Sequence, residues 1–185
     1  MGEEIRRTDR RLVRKCHVFD LYEDTMTTDS GRVAYWDFLK HNGAAAVVPV
    51  TEDGKILLVR QYRNAVDRYS LEIPAGKKDF IEESGLSCAE RELQEETGYK
   101  AGKMTLLIKL VTAIAYCNET IDIYVAEDLQ PVGQHLDEDE FIDVQAFDTE
   151  TLQQMIYGGQ LQDAKTVAAV MAYLNRRGRE EHDKG

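Results

Sequence analysis

Arg91-Glu92-Leu93-Gln94-Glu95-Glu96-Thr97-Gly98-Tyr99 is the stretch on which the reading of this chain turns. Just upstream, Leu86, Ala89 and Leu93 recur at helical spacing and Gly98 supplies a stop, which predicts a helix over residues 86–97. On that helix Glu92, Glu95 and Glu96 stand at i, i+3 and i+4, so three carboxylates share one face. Like charges at that spacing repel, and helix propensity does not call for them. For an isolated Glu-x-x-Glu-Glu the ordinary reading is a solvated acidic face. The other reading is a seat for Mg²⁺, a hard cation that takes oxygen ligands and keeps waters for substrate phosphates. Composition alone does not separate the two.

Outward from the helix, the first half of the chain reads as strands. Residues 12–23 and 32–40 flank the turn-rich Thr28-Asp29-Ser30-Gly31, which predicts a hairpin. Ala44 to Val50 and Ile56 to Val59 are short apolar runs separated by a turn at Glu52-Asp53-Gly54, as in strands covered on both faces. Further strands are expected at 104–112, at 120–126, where Ile121, Ile123 and Val125 alternate with other residues, and at 141–147. Helices are expected at 149–156 and 163–177, the second with Val167, Val170, Met171 and Leu174 on one stripe. There are no repeats and no low-complexity linker. The organisation expected is an N-terminal β-segment over 1–42, a mixed α and β domain over 43–178, and a charged tail over 179–185.

The chain has 185 residues, 43% hydrophobic and 31% charged, enough to bury a core without metals or disulfides to hold it. Its net charge of −11 argues against non-specific partners such as nucleic acid or an anionic membrane. A phosphorylated substrate would need cations gathered locally against that field. The longest apolar run, Ala44 to Val50, is too short to span a bilayer, and the charged stretch up to Lys15 does not resemble a signal peptide. Arg6 stands where a myristoylation signal needs Ser or Thr. The three cysteines, Cys16, Cys88 and Cys117, are scattered without a CxxC pair, which fits a reducing compartment and leads to a cytoplasmic expectation. The four histidines show no metal-ligand spacing, and no dinucleotide fingerprint, P-loop or nucleophile elbow is present.

The surroundings of the acidic helix decide between its two readings. Glu83, seven residues, then Arg91-Glu92-Leu93-x-Glu95-Glu96-x-Gly98-Tyr99 closely resembles the Nudix box, and every defined position from Glu83 to Gly98 is present. One departure is that Gly76 and Glu83 enclose six residues where the family pattern has five. Either the loop carries an insertion, or Glu82 takes the part of Glu83; insertion in the loop is the cheaper choice because helix spacing fixes the carboxylate face. The resemblance implies an α+β Nudix fold: a mixed β-sheet sandwiched between helices (α/β/α), preceded by the N-terminal antiparallel β-segment. It further implies Glu92, Glu95, Glu96 and the Ala75 carbonyl as ligands of Mg²⁺, with Mn²⁺ as an alternative, and Arg91 as the residue that holds a loop carboxylate.

Beyond the box, Leu57 to Arg63, Leu71-Glu72-Ile73-Pro74-Ala75-Gly76, Leu136 to Ile142 and Gln162-Asp163-Ala164-Lys165 resemble the ADP-ribose pyrophosphatase branch. That likeness implies hydrolysis of ADP-ribose or a related nucleoside diphosphate sugar. It places the general base on Glu138, with Glu95 also in the catalytic set, and a further metal ligand on Glu140. Arg63, and Arg60 near it, would contact substrate phosphate, where a guanidinium fork suits two oxygens. Trp36 resembles an aromatic that stacks on adenine from the N-terminal strands, with Tyr35 and Phe19 as weaker candidates. The branch also implies a homodimer whose N-terminal strands complete the partner's site. A second departure is that Thr112 to Glu119 lacks the proline typical of the branch, which bears on the identity of the sugar. The alternatives are a Nudix hydrolase of oxidised nucleoside triphosphates or dinucleotides, and a Nudix-fold nucleotide sensor without turnover.

Overall fold

Ala44-Ala45-Ala46-Val47-Val48-Pro49 is buried at every position, and its two faces lead to different cores. The computed structural model describes residues 2–136 and 141–182. Along the chain it forms β1 (Ile5–Lys15), β2 (Asp20–Thr28), β3 (Val33–Lys40), β4 (Ala44–Pro49), β5 (Ile56–Arg63), β6 (Arg68–Glu72) and β7 (Ala75–Lys77). There follow α1 (Gly85–Thr97), β8 (Tyr99–Val111), β9 (Thr120–Pro131), β10 (Asp143–Phe147), α2 (Thr149–Tyr157) and α3 (Ala164–His182). These elements fall into two compact units, one holding residues up to Gly43 together with Val111–Thr120, the other Ala44–Leu110 and the chain from Ile121 onward. The first thus takes in a later segment that a linear boundary at 42/43 does not capture. Among the described residues no helix is long and apolar enough to cross a membrane.

In the second unit β4 runs parallel to β9 and antiparallel to β7, in a four-stranded sheet of order β7-β4-β9-β8. A three-stranded antiparallel sheet has the order β10-β5-β6. Strand side chains alternate faces, and here the alternation sorts the cores. Ala45 and Val47 pack with Cys88, Ala89 and Leu93 of α1. Ala44, Ala46 and Val48 join Ile56 and Leu58 of β5, Leu152 of α2 and Ala169, Val170 and Tyr173 of α3. The mixed sheet therefore lies between helices, as the sequence predicts. Each fully buried aliphatic side chain in these cores contributes roughly 1.5–3 kcal/mol.

Both ends of α1 are capped. The Ser84 hydroxyl accepts from the Ser87 amide at 3.0 Å, and Gly98, at φ 75°, donates its N–H to the Gln94 carbonyl. Gly98 also lets the segment after β9 approach, because a Cβ there would lie 2.8 Å from the Gln134 backbone nitrogen. Both constraints oppose a side chain, so Gly98→Ala is expected to lower stability by on the order of 2 kcal/mol. Urea denaturation checks this; an unchanged midpoint would mean that the segment simply moves aside.

The first unit contains the antiparallel meander β1-β2-β3. The hairpin expected around Thr28–Gly31 is present, but the single strand expected over 12–23 is two strands, separated by a turn in which Cys16 N–H donates to the Phe19 carbonyl at 3.0 Å. Strand β1, Ile-Arg-Arg-Thr-Asp-Arg-Arg-Leu-Val-Arg-Lys, carries too much charge for an apolar period to show. Pairing across the strands satisfies that charge: Arg10 grips Asp24 through two hydrogen bonds of 2.6 Å, and Arg11 meets Glu23 at 2.9 Å. Strands β6 and β7, short and bordered by Pro74, were likewise not expected from the sequence.

Candidate active site

Two of the three carboxylates on the acidic face of α1 are buried. Glu92 and Glu96 are only 7% and 4% exposed, which carboxylates tolerate only with partners. Glu96 Oε2 accepts the Ala75 amide at 2.9 Å. Glu92 lies so close to β7 that a Cβ on Gly76 would fall 2.0 Å from its Oε1. Gly76 is thus required by close approach, the backbone of β7 lying directly on a buried carboxylate. Glu95, with its side chain 39% exposed, sits nearer the surface.

Arg91 organises this face. Its Nη1 donates to Glu92 at 2.6 Å and to Glu95 at 3.0 Å, and its Nη2 donates to the Lys77 carbonyl at 3.1 Å. Its Nε lies 3.6 Å from Glu83, which also accepts the Asp79 amide at 2.8 Å. Glu82 is exposed. Of the two neighbours it is therefore Glu83, not Glu82, that lies beside Arg91, with Asp79 of the same loop 3.8 Å from the same nitrogen, and the extra residue between Gly76 and Glu83 is absorbed in the loop.

Among the described residues no three His, Cys, Asp or Glu side chains are gathered closely enough to form a metal cage by themselves. Arg91 bridges Glu92 and Glu95 and offsets their charge. The donor set is nonetheless one of carboxylate oxygens against the backbone of Ala75 and Gly76, without thiolate or imidazole. Those donors fit a hard divalent cation that keeps waters and draws further ligands from phosphate. Cys88 lies buried beneath them, and burial, reinforced by Glu92, pushes its thiol up to about 12.

Arg63 and Arg60 border a second feature, a cleft of about 720 Å³ lined also by Arg68, Tyr69, Gln162 and Lys165. Arg60 stacks on the Tyr69 ring at 3.7 Å. Arg63 pairs with buried Glu72 through two hydrogen bonds of 2.8 and 2.7 Å, and Lys165 reaches the same carboxylate. Burial alone would raise the Glu72 carboxyl; the Arg63 hydrogen bonds and the Lys165 charge outweigh it and bring it to about 2. Glu72 therefore stabilises the fold above about pH 4.5, and that contribution is lost as pH falls towards 2. In the sequence Glu72 and Lys165 stand within stretches that resemble the ADP-ribose pyrophosphatase branch, and no local pattern marks a role for either.

Trp36 and Tyr35 on β3 are 49% and 67% exposed in the first unit, and Phe19 is half-buried in the turn between β1 and β2. Glu138 and Glu140 lie outside the described residues. The stem leading towards them is tied to α1: His135 N–H donates to the Glu95 carbonyl at 3.1 Å, and the Gln134 side chain donates to the Glu96 carbonyl at 2.6 Å.

The match to known proteins follows this geometry. The family model described as the NUDIX domain matches residues 40–170, spanning the buried glutamates, Arg91 and the β7 strand. The chain belongs to the Nudix family. It is 37% identical over 155 residues to an ADP-ribose pyrophosphatase of Bacillus subtilis, covering 83% of each chain. The same identity, length and coverage relate it to a methanol dehydrogenase activator of Bacillus methanolicus. A crystal structure of an ADP compounds hydrolase superposes with a TM-score of 0.82 at 24% identity, over 95% of this chain and 97% of the other, which bears out the Nudix fold. It is thus a Nudix hydrolase, similar in sequence to an ADP-ribose pyrophosphatase.

Proposed function

We propose that this Nudix hydrolase cleaves the pyrophosphate bond of ADP-ribose, or of a closely related nucleoside diphosphate sugar, with Mg²⁺ as cofactor and Mn²⁺ as an alternative. The observation that carries the reading is the pair of buried carboxylates, Glu92 and Glu96, pressed on Ala75 and Gly76, with Arg91 bridging Glu92 to Glu95. The likeness to the Bacillus subtilis ADP-ribose pyrophosphatase supports the substrate class.

Glu92, Glu95, Glu96, the Ala75 carbonyl and Glu140 would hold the cation, which supplies charge neutralisation of the pyrophosphate and acidifies a water. Glu138 accepts the proton of the attacking water. The water oxygen bonds to one phosphorus as the bridging phosphorus–oxygen bond breaks, and the bridging oxygen departs with the other phosphate. The products are AMP and ribose 5-phosphate. Arg63 and Arg60 donate to phosphate oxygens, so the chain contributes mainly position and charge. Trp36 stacks on the adenine in a homodimer; its exposure together with that of Tyr35 supports an aromatic surface ready for contact.

Purified protein is incubated with ADP-ribose and Mg²⁺, with and without EDTA, and AMP is measured. Chelator-sensitive AMP release is expected. No release from ADP-ribose or other nucleoside diphosphate sugars, with turnover of oxidised triphosphates or dinucleotides instead, overturns the substrate. Silence across the whole panel favours a nucleotide sensor. In the same assay Glu138→Gln is expected to lower turnover about a hundredfold while metal binding is kept. If only Glu140→Gln is inactive, the base lies two positions further on. Sedimentation of the purified chain tests the dimer.

A further inference from the structure

The residues Glu72 to Gly76 join the basic cleft to the acidic helix, and each is fastened to a different neighbour. The Glu72 carboxylate, 3% exposed, accepts both Arg63 hydrogen bonds and pairs with Lys165. The Ile73 amide donates to Thr166 Oγ1 at 2.9 Å. The Pro74 carbonyl accepts the Val47 amide at 2.9 Å, the Ala75 amide donates to Glu96 at 2.9 Å, and Gly76 lies on Glu92. Asp163 closes the set on the α3 side, accepting from the Thr166 amide at 3.0 Å and from Lys165 at 3.0 Å. An extended segment of this length covers about 13 Å. Arg63 and the carboxylates of α1 are therefore held at the two ends of one anchored strap.

We propose that Glu72 is a positioning residue for phosphate recognition: its two-pronged pair aims the Arg63 fork at the substrate, at a distance from the α1 carboxylates that the Glu72–Gly76 strap sets. This rests on reading the cleft as the site that receives substrate phosphate. Arg63 spends Nε and Nη2 on Glu72, and its Nη1 makes no hydrogen bond among the described residues, on a side chain that stays 41% exposed. An arginine held on two nitrogens loses little freedom when the third engages phosphate, whereas an untethered one must be ordered at that moment. Lys165, itself paired to Glu72 and Asp163, steadies the carboxylate from the other side.

Two effects of Glu72 have opposite signs. Its negative charge weakens the cleft's attraction for anions, so if charge alone mattered Glu72→Gln would bind the substrate more tightly. Aiming Arg63 strengthens binding, so if position governs, Glu72→Gln binds more weakly. Calorimetric titration of ADP-ribose in EDTA reads the sign without turnover. Wild type is expected to bind, and Glu72→Gln and Arg63→Ala each to weaken binding about tenfold. In the Arg63→Ala background Glu72→Gln should no longer weaken binding, only its charge effect being left, and with Mg²⁺ its effect in the wild-type background should fall on KM more than on kcat. A role confined to folding would lower Tm and leave both the affinity and the KM unchanged. Should Glu72→Gln fail to fold, Arg63→Lys serves: it keeps the charge but loses the fork, and is expected to bind as weakly as Arg63→Ala. Equal or tighter binding by Glu72→Gln, or wild-type binding by Arg63→Lys, overturns the positioning role alone. No binding by the wild type overturns the substrate reading and this role with it.

Discussion

Glu96→Gln is expected to lower turnover by about three orders of magnitude while the protein folds and melts near the wild-type temperature. Glutamine keeps the size of the side chain, and its amide oxygen can still accept the Ala75 amide that Glu96 receives at 2.9 Å. What disappears is a negative charge at a site 4% exposed, on a face shared with Glu92 and Glu95. Losing it relieves repulsion between like charges on one helix, so stability stays level or rises. Activity falls because a buried carboxylate offered to a cation is worth far more than a neutral amide there. Glu95→Gln tests the same face from its exposed edge, where Arg91 already offsets the charge at 3.0 Å, and its effect should be smaller. Steady-state rates with ADP-ribose and Mg²⁺, beside thermal melts, check both. A Glu96→Gln enzyme with near wild-type turnover would place the metal chemistry elsewhere.

The features legible in the sequence were those whose partners lie nearby along the chain. The helix of α1, its stop at Gly98 and the shared face of Glu92, Glu95 and Glu96 follow from spacing within one element. The strand Ala44–Pro49 was visible because burial on both faces leaves an unbroken apolar run. The first part of strand β1, residues 5–11, escaped because its hydrogen bonds and ion pairs are made with β2, so its stability does not show in its own apolar pattern. The Glu72 network escaped for the same reason on a longer scale: Glu72 meets Lys165 and Ile73 meets Thr166 across 93 residues of sequence. A glutamate in a strand reads as exposed unless the cations that bury it are known. The choice of Glu83 over Glu82 also needed three dimensions, since the two are neighbours and only packing puts one on Arg91.

Gly76→Ala is expected to reduce turnover more than about a hundredfold with little loss of stability, the reverse of the profile expected for Gly98→Ala. A methyl group on Gly76 would lie 2.0 Å from Oε1 and 2.2 Å from the carboxyl carbon of Glu92. Those atoms end a flexible side chain, so the carboxylate swings away and the backbone need not move. Gly76 needs no unusual backbone angle, its φ lying outside the positive range, so alanine adds no torsional strain. At Gly98 the obstacle is the backbone of Gln134, and φ is 75°, so the fold itself must yield. The two substitutions thus separate function from stability at the two ends of one motif. Adding Glu92→Asp to Gly76→Ala shortens the displaced side chain by one methylene and should recover part of the lost rate. Turnover and Tm are measured for Gly76→Ala, Glu92→Asp and the pair. Wild-type turnover in Gly76→Ala would show that the place of the Glu92 carboxylate does not matter. A steep fall in Tm would show that the crowding is carried by the backbone after all.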